Sequence, residues 1–300
     1  MFIYLDTVLW NRLCDQGVDA RRLAGDLAKD GAMLVLGTEA VYEMARTFYG
    51  KKLGAHERGE RLFSYLRAFV GLRIPCLQTT ANILADEAHI AQESRKEGPQ
   101  VFVNEQQYAG LENEVEKLSR GVVDSRADEL LRKRKAEAES VRSDIAAYYQ
   151  DERTAHLLRR TAEVSVDGLS SWIRKELPRS GRRALRGHLA RVFPGSQVRE
   201  LTWIAKKLLG SNRYRIAHAL TRADLYTNWR FSQSGSMPRD LPSDTYHIVN
   251  AAYCDIYATS EEAQARYAPL VLTKTKVALY DGDVAVSSWL TQISRERRGP

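Results

Sequence analysis

Four carboxylates stand at positions where a folded chain can gather hard oxygen donors. Asp6 ends the apolar run Phe2–Leu5. Glu43 lies five residues after Thr38 in LGTEAVYEMAR, Asp244 sits in SDTYHIVNAAYCD, and Glu261 follows IYATS. A lone buried carboxylate is costly unless something pairs with it, so Asp6 is expected either at an exposed strand end or in company. Each acid falls just after a strand or in the first turns of the next helix. In a parallel α/β sheet those places line the carboxyl edge, where ligands bind. Four carboxylates meeting there repel one another but suit a hard divalent cation such as Mg²⁺ or Mn²⁺. The plainer reading of any one of them is a helix cap. Thr38 can cap the helix after the second strand, and Ser243 or Asp244 can cap the helix that carries them.

The elements that must position these acids read as follows. Over residues 1–75 an apolar strand (Phe2–Leu5) precedes a helical pattern through Trp10, Leu13 and Leu23. A second apolar run, Met33–Leu36, is followed by helices over Thr38–Tyr49 and about Glu60–Val70. This β-α-β-α opening predicts a parallel sheet with helices on its faces. From about Thr79 to Arg230 strand signals vanish. Stretches such as LENEVEKLSRGVVDSRADELLRKRKAEAESVRSDIAAYYQ predict long helices with opposite charges four residues apart, and FSQSGSMPRDLPSD predicts a loop. From 241 onward, apolar runs at Ile256–Ala258 and Leu270–Leu272 predict strands, with a hairpin at Asp281-Gly282. The expected organisation is a Rossmann-like α/β core in two parts, 1–78 and 241–300, split by a helical insertion over 79–240.

With those elements in place, the motifs resemble the PIN-domain nucleases. FIYLDTVLW resembles their opening strand and first acid, TEAVYEMAR their second motif, and SDTYHIVNAAYCDIYATSEE their third and fourth. The resemblance spans roughly 1–75 and 241–275, under half of the chain. It implies a five-stranded parallel sheet and a metal-dependent ribonuclease site in which Asp6, Glu43, Asp244 and Glu261 match the four acids. The fourth motif usually ends Thr-x-Asp; here it is Thr259-Ser260-Glu261, one methylene longer. Asp255 matches another acid often seen in the family and is the reserve fourth ligand. The implied chemistry is hydrolysis of an RNA phosphodiester by one or two ions, about 4 Å apart when paired. Thr259 or Ser260 would orient a ligand or the attacking water. The family gives no role for an insertion of about 165 residues.

Charge supplies an independent hint. The whole chain carries +7. Between Ser170 and Ile216 stand twelve Lys/Arg (Arg174, Lys175, Arg179, Arg182, Arg183, Arg186, Arg191, Arg199, Lys206, Lys207, Arg213 and Arg215) against only Glu176 and Glu200. That segment is +10 and the remainder −3, so the whole positive excess is local. Such concentration suits a polyanion, through counterion release and long-range attraction, although a charge run is by default a solvated helix face. Trp172, Trp203 and Tyr214 are available to stack on bases or to anchor the helical core.

Other classes fall away. No apolar run approaches a membrane span, and Met1–Leu5 lacks the basic flank of a signal peptide. Cys14, Cys76 and Cys254 show no CxxC spacing, as in a reduced, cytoplasmic protein. Asp86-Glu87-Ala88-His89 spells a helicase box, but no phosphate loop accompanies it: Glu60-Arg61 follows Gly54–Gly59 where Lys-Ser/Thr is needed. The six histidines show no metal spacing and are assigned no role. The expected function is a Mg²⁺- or Mn²⁺-dependent endoribonuclease, by analogy a toxin or defence effector. The alternatives are an inactive PIN-like scaffold that holds nucleic acid or protein, and a DNA-directed nuclease. A homo-oligomer or an inhibitory protein partner stays open.

Overall fold

The computed structural model describes residues 1–50, 53–124, 129, 161–234 and 241–296, without the side chains of 234 and 241–244. Residues 125–150 of the predicted long helix, 129 apart, and residues 235–240 of the predicted loop lie outside the described residues; the two ends of that loop, 231–234 and 241–244, are helical instead.

Five short strands form one parallel sheet: β1 (Phe2–Leu5), β2 (Met33–Gly37), β3 (Cys76–Leu77), β4 (Ile256–Thr259) and β5 (Lys276–Leu279), in the order β3-β2-β1-β4-β5. Ile3 pairs with Leu34 on one side and with Ile256 on the other. The chain thus winds outward from β1 in both directions, and β1/β4 is the switch point at which a crevice opens at the carboxyl edge. A parallel sheet must be covered on both faces. The face carrying Ile3, Leu5, Leu34 and Leu36 packs on α1 (Thr7–Asp15), α2 (Ala20–Lys29), α4 (Ala55–Gly71) and the last helix. The face carrying Tyr4, Val35, Leu77 and Tyr257 shares its core with α5 (Thr80–Glu93) and with Leu185, Leu201, Ile204, Ile216 and Leu220. Those last five residues belong to α8 (Arg182–Val192), α9 (Val198–Leu209) and α10 (Arg215–Ser234), so described helices of the 79–240 stretch bury this face of the sheet. Upstream, α3 (Thr38–Ala45), α6 (Glu105–Ser119) and α7 (Leu169–Glu176) complete the helices before α8; α11 (Leu241–Asn250), α12 (Glu262–Val271) and α13 (Val286–Arg295) complete the chain.

Several local expectations are corrected. The Leu270–Leu272 run is the end of α12, where Val271 and Leu272 bury against Tyr257 and Tyr267; the fifth strand is instead Lys276–Leu279. No hairpin forms at Asp281-Gly282. β5 pairs only with parallel β4, and Gly282, at φ +95°, turns the chain toward α13. The helix carrying Asp244 begins at Leu241, with Pro242 in its first turn, so Ser243 and Asp244 lie inside it and not at its cap. Thr38 does not cap α3 either. Gly37 takes that place, since a Cβ there would come within 2.6 Å of the Tyr4 ring.

Glu87, from the helicase-like tetrapeptide, has a structural task. Fully buried, it accepts the backbone N–H groups of Ile216 and Ala217, both at 2.9 Å, and the Tyr253 hydroxyl at 2.6 Å. It thereby caps the first turn of α10 from a distant helix. Burial pushes its carboxyl up to about 7, against the pull of those hydrogen bonds. The unfolded carboxyl releases its proton near 4.5, so the folded chain holds that proton longer. Its contribution is therefore full below pH 4.5 and lost as pH rises through 7. Thermal melts between pH 5 and 8 are expected to show wild type losing stability relative to Glu87→Gln, which has no such proton. Parallel curves would refute this. Glu87→Ala, which strands three donors, is expected to cost about 3 kcal/mol.

Candidate active site at the carboxyl edge

The site grows from the first strand. The ladder between β1 and β4 continues one residue past Leu5, as Asp6 donates its N–H to Ala258 O at 3.1 Å. The chain then turns directly into α1, and the Asp6 side chain becomes its cap, with Leu9 N–H donating to Oδ1 at 2.7 Å. Asp6 is thus the cap of α1 and stands at the carboxyl edge of the sheet. Its other oxygen, Oδ2, accepts the Thr259 hydroxyl at 2.6 Å and the Ser260 N–H at 3.3 Å. Asp6 is 2% exposed, and burial pushes its carboxyl up despite these donors. Four acceptor positions on a carboxylate less three donors leave one lone pair available.

Glu43 joins through the next residue. Thr7 donates its hydroxyl to Glu43 Oε2 at 2.6 Å, and the same oxygen pairs closely with His247 Nε2. His247 is buried on α11, three residues beyond Asp244, with Nδ1 3.0 Å from the Tyr4 hydroxyl. Burial alone would raise the Glu43 carboxyl, but the His247 hydrogen bond and charge, with the Thr7 hydroxyl, hold it down at about 2. Burial disfavours charge on His247. Glu43 foremost, then Glu39 and Asp6, overcome this and raise its pKa. The acids around the imidazole therefore favour its protonated form, with Glu43 its direct partner. Sequence reading missed both His247 and Glu39. The available signals were the one-turn spacing of His247 from Asp244, and Glu39 in the first turn of α3.

The fourth motif reaches this line through its backbone. Glu261 N–H donates to Thr259 Oγ1 at 3.0 Å, so Glu43, Thr7, Asp6, Thr259 and Glu261 follow one another along the edge. The Glu261 carboxylate itself is held by Gln264 Nε2 at 2.8 Å. Asp255 is elsewhere. It precedes β4 and accepts the Phe2 N–H at 2.8 Å, at the amino edge, about 13 Å from the site along the strand at about 3.3 Å per residue. The reserve assignment is therefore corrected: the strand itself separates Asp255 from the other acids. The Asp244 side chain lies outside the described residues. Two buried polar atoms at this edge, Thr38 Oγ1 and Asn250 Oδ1, have no hydrogen-bond partner. Buried polar groups are normally satisfied, so these two suit a polar ligand.

The donor chemistry here, all oxygen apart from His247, suits a hard cation. Among the described residues, however, no three His, Cys, Asp or Glu side chains group closely enough to hold a metal ion.

The predicted phosphate contacts lie on α7 to α9 and on the turn between α7 and α8. Arg174 and Lys175 are on α7 and Arg179 is in the π-turn Leu177–Gly181. Arg182, Arg183, Arg186 and Arg191 are on α8, and Lys206 and Lys207 on α9. Of the three aromatic candidates, Tyr214 is buried and Trp172 packs against the Leu169–Ile173–Leu225–Trp229 cluster, whereas Trp203 is 45% exposed. The core-anchor expectation thus fails for Trp203. Cys14, Cys76 and Cys254 are free thiols, each pushed up by burial, which disfavours the thiolate. No helix of the described residues is long and apolar enough to cross a membrane. The chain matches no protein-family model, and no curated protein or solved structure was found to be similar to it.

Proposed function

We propose that this chain is a PIN-like, Mg²⁺- or Mn²⁺-dependent endoribonuclease, with Asp6, Glu43 and Asp244 as the metal-holding acids and Glu261 beside them. The observation that carries the reading is Asp6: a 2%-exposed carboxylate at the switch point of a parallel sheet, fixed by Thr259 and Ser260, with Glu43 one hydrogen-bonded residue away. A purely structural sheet edge gains nothing from burying acids together. Bound there, the ion would lower the pKa of a water and offset charge developing on the phosphoryl group. The chain's own part is positional. Thr259 locks the Asp6 rotamer, Thr7 ties Glu43 to it, and the unpartnered Thr38 hydroxyl is free to bind a phosphoryl oxygen or water. A role as a toxin or defence effector is part of the proposal by analogy alone.

One observation favours a second reading, an inactive nucleic-acid scaffold. Glu43 is already neutralised by His247, and no three-ligand group exists among the described residues. Incubation of labelled RNA and single-stranded DNA with Mn²⁺, Mg²⁺ or EDTA, together with Mn²⁺ calorimetry, separates the two. The nuclease cuts RNA only with metal and gives a binding isotherm. Absence of both cutting and heat establishes the scaffold.

A further inference from the structure

We infer that the outer face of α9, centred on Trp203, is a docking platform for single-stranded nucleic acid, set apart from the acids so that only a strand of several nucleotides reaches both. The inference rests on the nucleic-acid reading above. Trp203 is the anomaly: a large ring 45% exposed on a helix whose opposite face, Leu201, Ile204, Ala205 and Leu208, is fully buried. Lys207 Nζ sits 4.1 Å from its ring centroid. That ammonium is held in place by Ala91 O at 3.0 Å and Ser94 Oγ at 3.2 Å. The ring is therefore fixed from one side while nearly half of the residue stays in water. Arg199 and Lys206, one turn either side, are exposed; the one acid on this helix, Glu200, accepts from Gln92. An exposed indole flanked by cations is complementary to an unpaired base and its neighbouring phosphates, because stacking accepts any base and cations track the backbone. A duplex hides its base faces and would leave the ring unused.

Placement fixes the length. α5 begins at the carboxyl edge after β3, and Lys207 meets it at Ala91 and Ser94 near its far end. The platform is thus roughly 20 Å from the acids' edge at 1.5 Å per helical residue. At about 3.4 Å per stacked nucleotide, a strand of roughly six nucleotides spans that distance.

The test uses the Asp6→Asn protein, which removes cutting, and fluorescence anisotropy with oligouridylates of three and twelve nucleotides, the deoxy twelve-mer and a twelve-base-pair RNA duplex. Trp203→Ala is expected to weaken twelve-mer binding by about tenfold, Trp203→Phe to restore most of it, and Trp172→Ala to change nothing. Lys206→Ala is expected to lower the salt slope by about one. The deoxy arm tells whether the platform takes RNA alone or both strands. Equal affinity of Trp203→Ala and Trp203, preference for the duplex, or no binding by any strand overturns the platform. Trp203-dependent binding, with no cutting by the protein that keeps Asp6, leaves the platform standing and removes the nuclease; metal-dependent cutting by the protein that keeps Asp6, without Trp203-dependent binding, does the reverse.

Discussion

Asp6→Asn is expected to leave the fold intact and to lower metal-dependent RNA cleavage by at least about a hundredfold, the scale seen when a preorganised electrostatic group is removed. The substitution keeps the shape of the side chain. The oxygen of the introduced amide can still accept the Leu9 N–H that caps α1, and the Thr259 hydroxyl can turn to accept from the amide nitrogen. What is lost is the charge, together with the weak acceptor contact to the Ser260 N–H at 3.3 Å. Burial already disfavours that charge, as the raised carboxyl pKa shows, so its removal offsets part of the weakened hydrogen bonding and the melting temperature should change little. A stability-neutral change with a large activity loss is the signature of a group kept for chemistry. Asp255→Asn is the control. It alters an acid of the same charge at the amino edge, bonded to the Phe2 N–H, and should leave the rate untouched. Initial rates on a quenched RNA, with melts of all three proteins, settle the matter. Equal rates for wild type and Asp6→Asn would remove Asp6 from the chemistry.

The frame of this fold is written plainly in its apolar runs, because Phe2–Leu5, Met33–Leu36 and Ile256–Ala258 are short, bounded and, beyond the leading residues Phe2 and Met33, buried on both faces. The last strand is not legible in that way. KVAL lies at the sheet's edge with Lys276 and Leu279 exposed, whereas the more apolar Leu270–Leu272 belongs to a buried helix end. Periodicity cannot separate those two over three residues. The same limit hid the coverage of the second face. The long basic segment reads as solvated helix, yet its apolar stripe, from Leu185 to Leu220, is what Tyr4 and Tyr257 pack against. At the site, the Asp6–Thr259 contact was implicit in two strand-end motifs. His247 was not, since its one-turn spacing from Asp244 is one that any helical pair shares, and its meaning comes from Glu43, 204 residues away in sequence.

His247→Ala is expected to be among the most destabilising single changes in the site, at about 3 kcal/mol, the scale of breaking a buried charge pair from one side. The imidazole is 5% exposed and Glu43 31%, so the orphaned carboxylate keeps some access to water and to the Thr7 hydroxyl, which places the cost at the low end. Glu43→Gln/His247→Ala should recover part of that loss, because no buried charge is then left unpaired. The signs of the two shifts fix the pH dependence. The Glu43 carboxyl is held at about 2 against an ordinary 4.5, so its contribution is present above 4.5 and fades as pH falls toward 2. His247 is raised above 6.5, so its contribution is full below 6.5 and fades as pH climbs through the raised value. Between 4.5 and 6.5 the pair is complete. The gap in melting temperature between wild type and the double variant should therefore be widest there and narrow on both sides. A gap that is flat from pH 3 to 9 would mean that the close contact carries no charge, and that the edge is held by Thr7 and Thr259 alone.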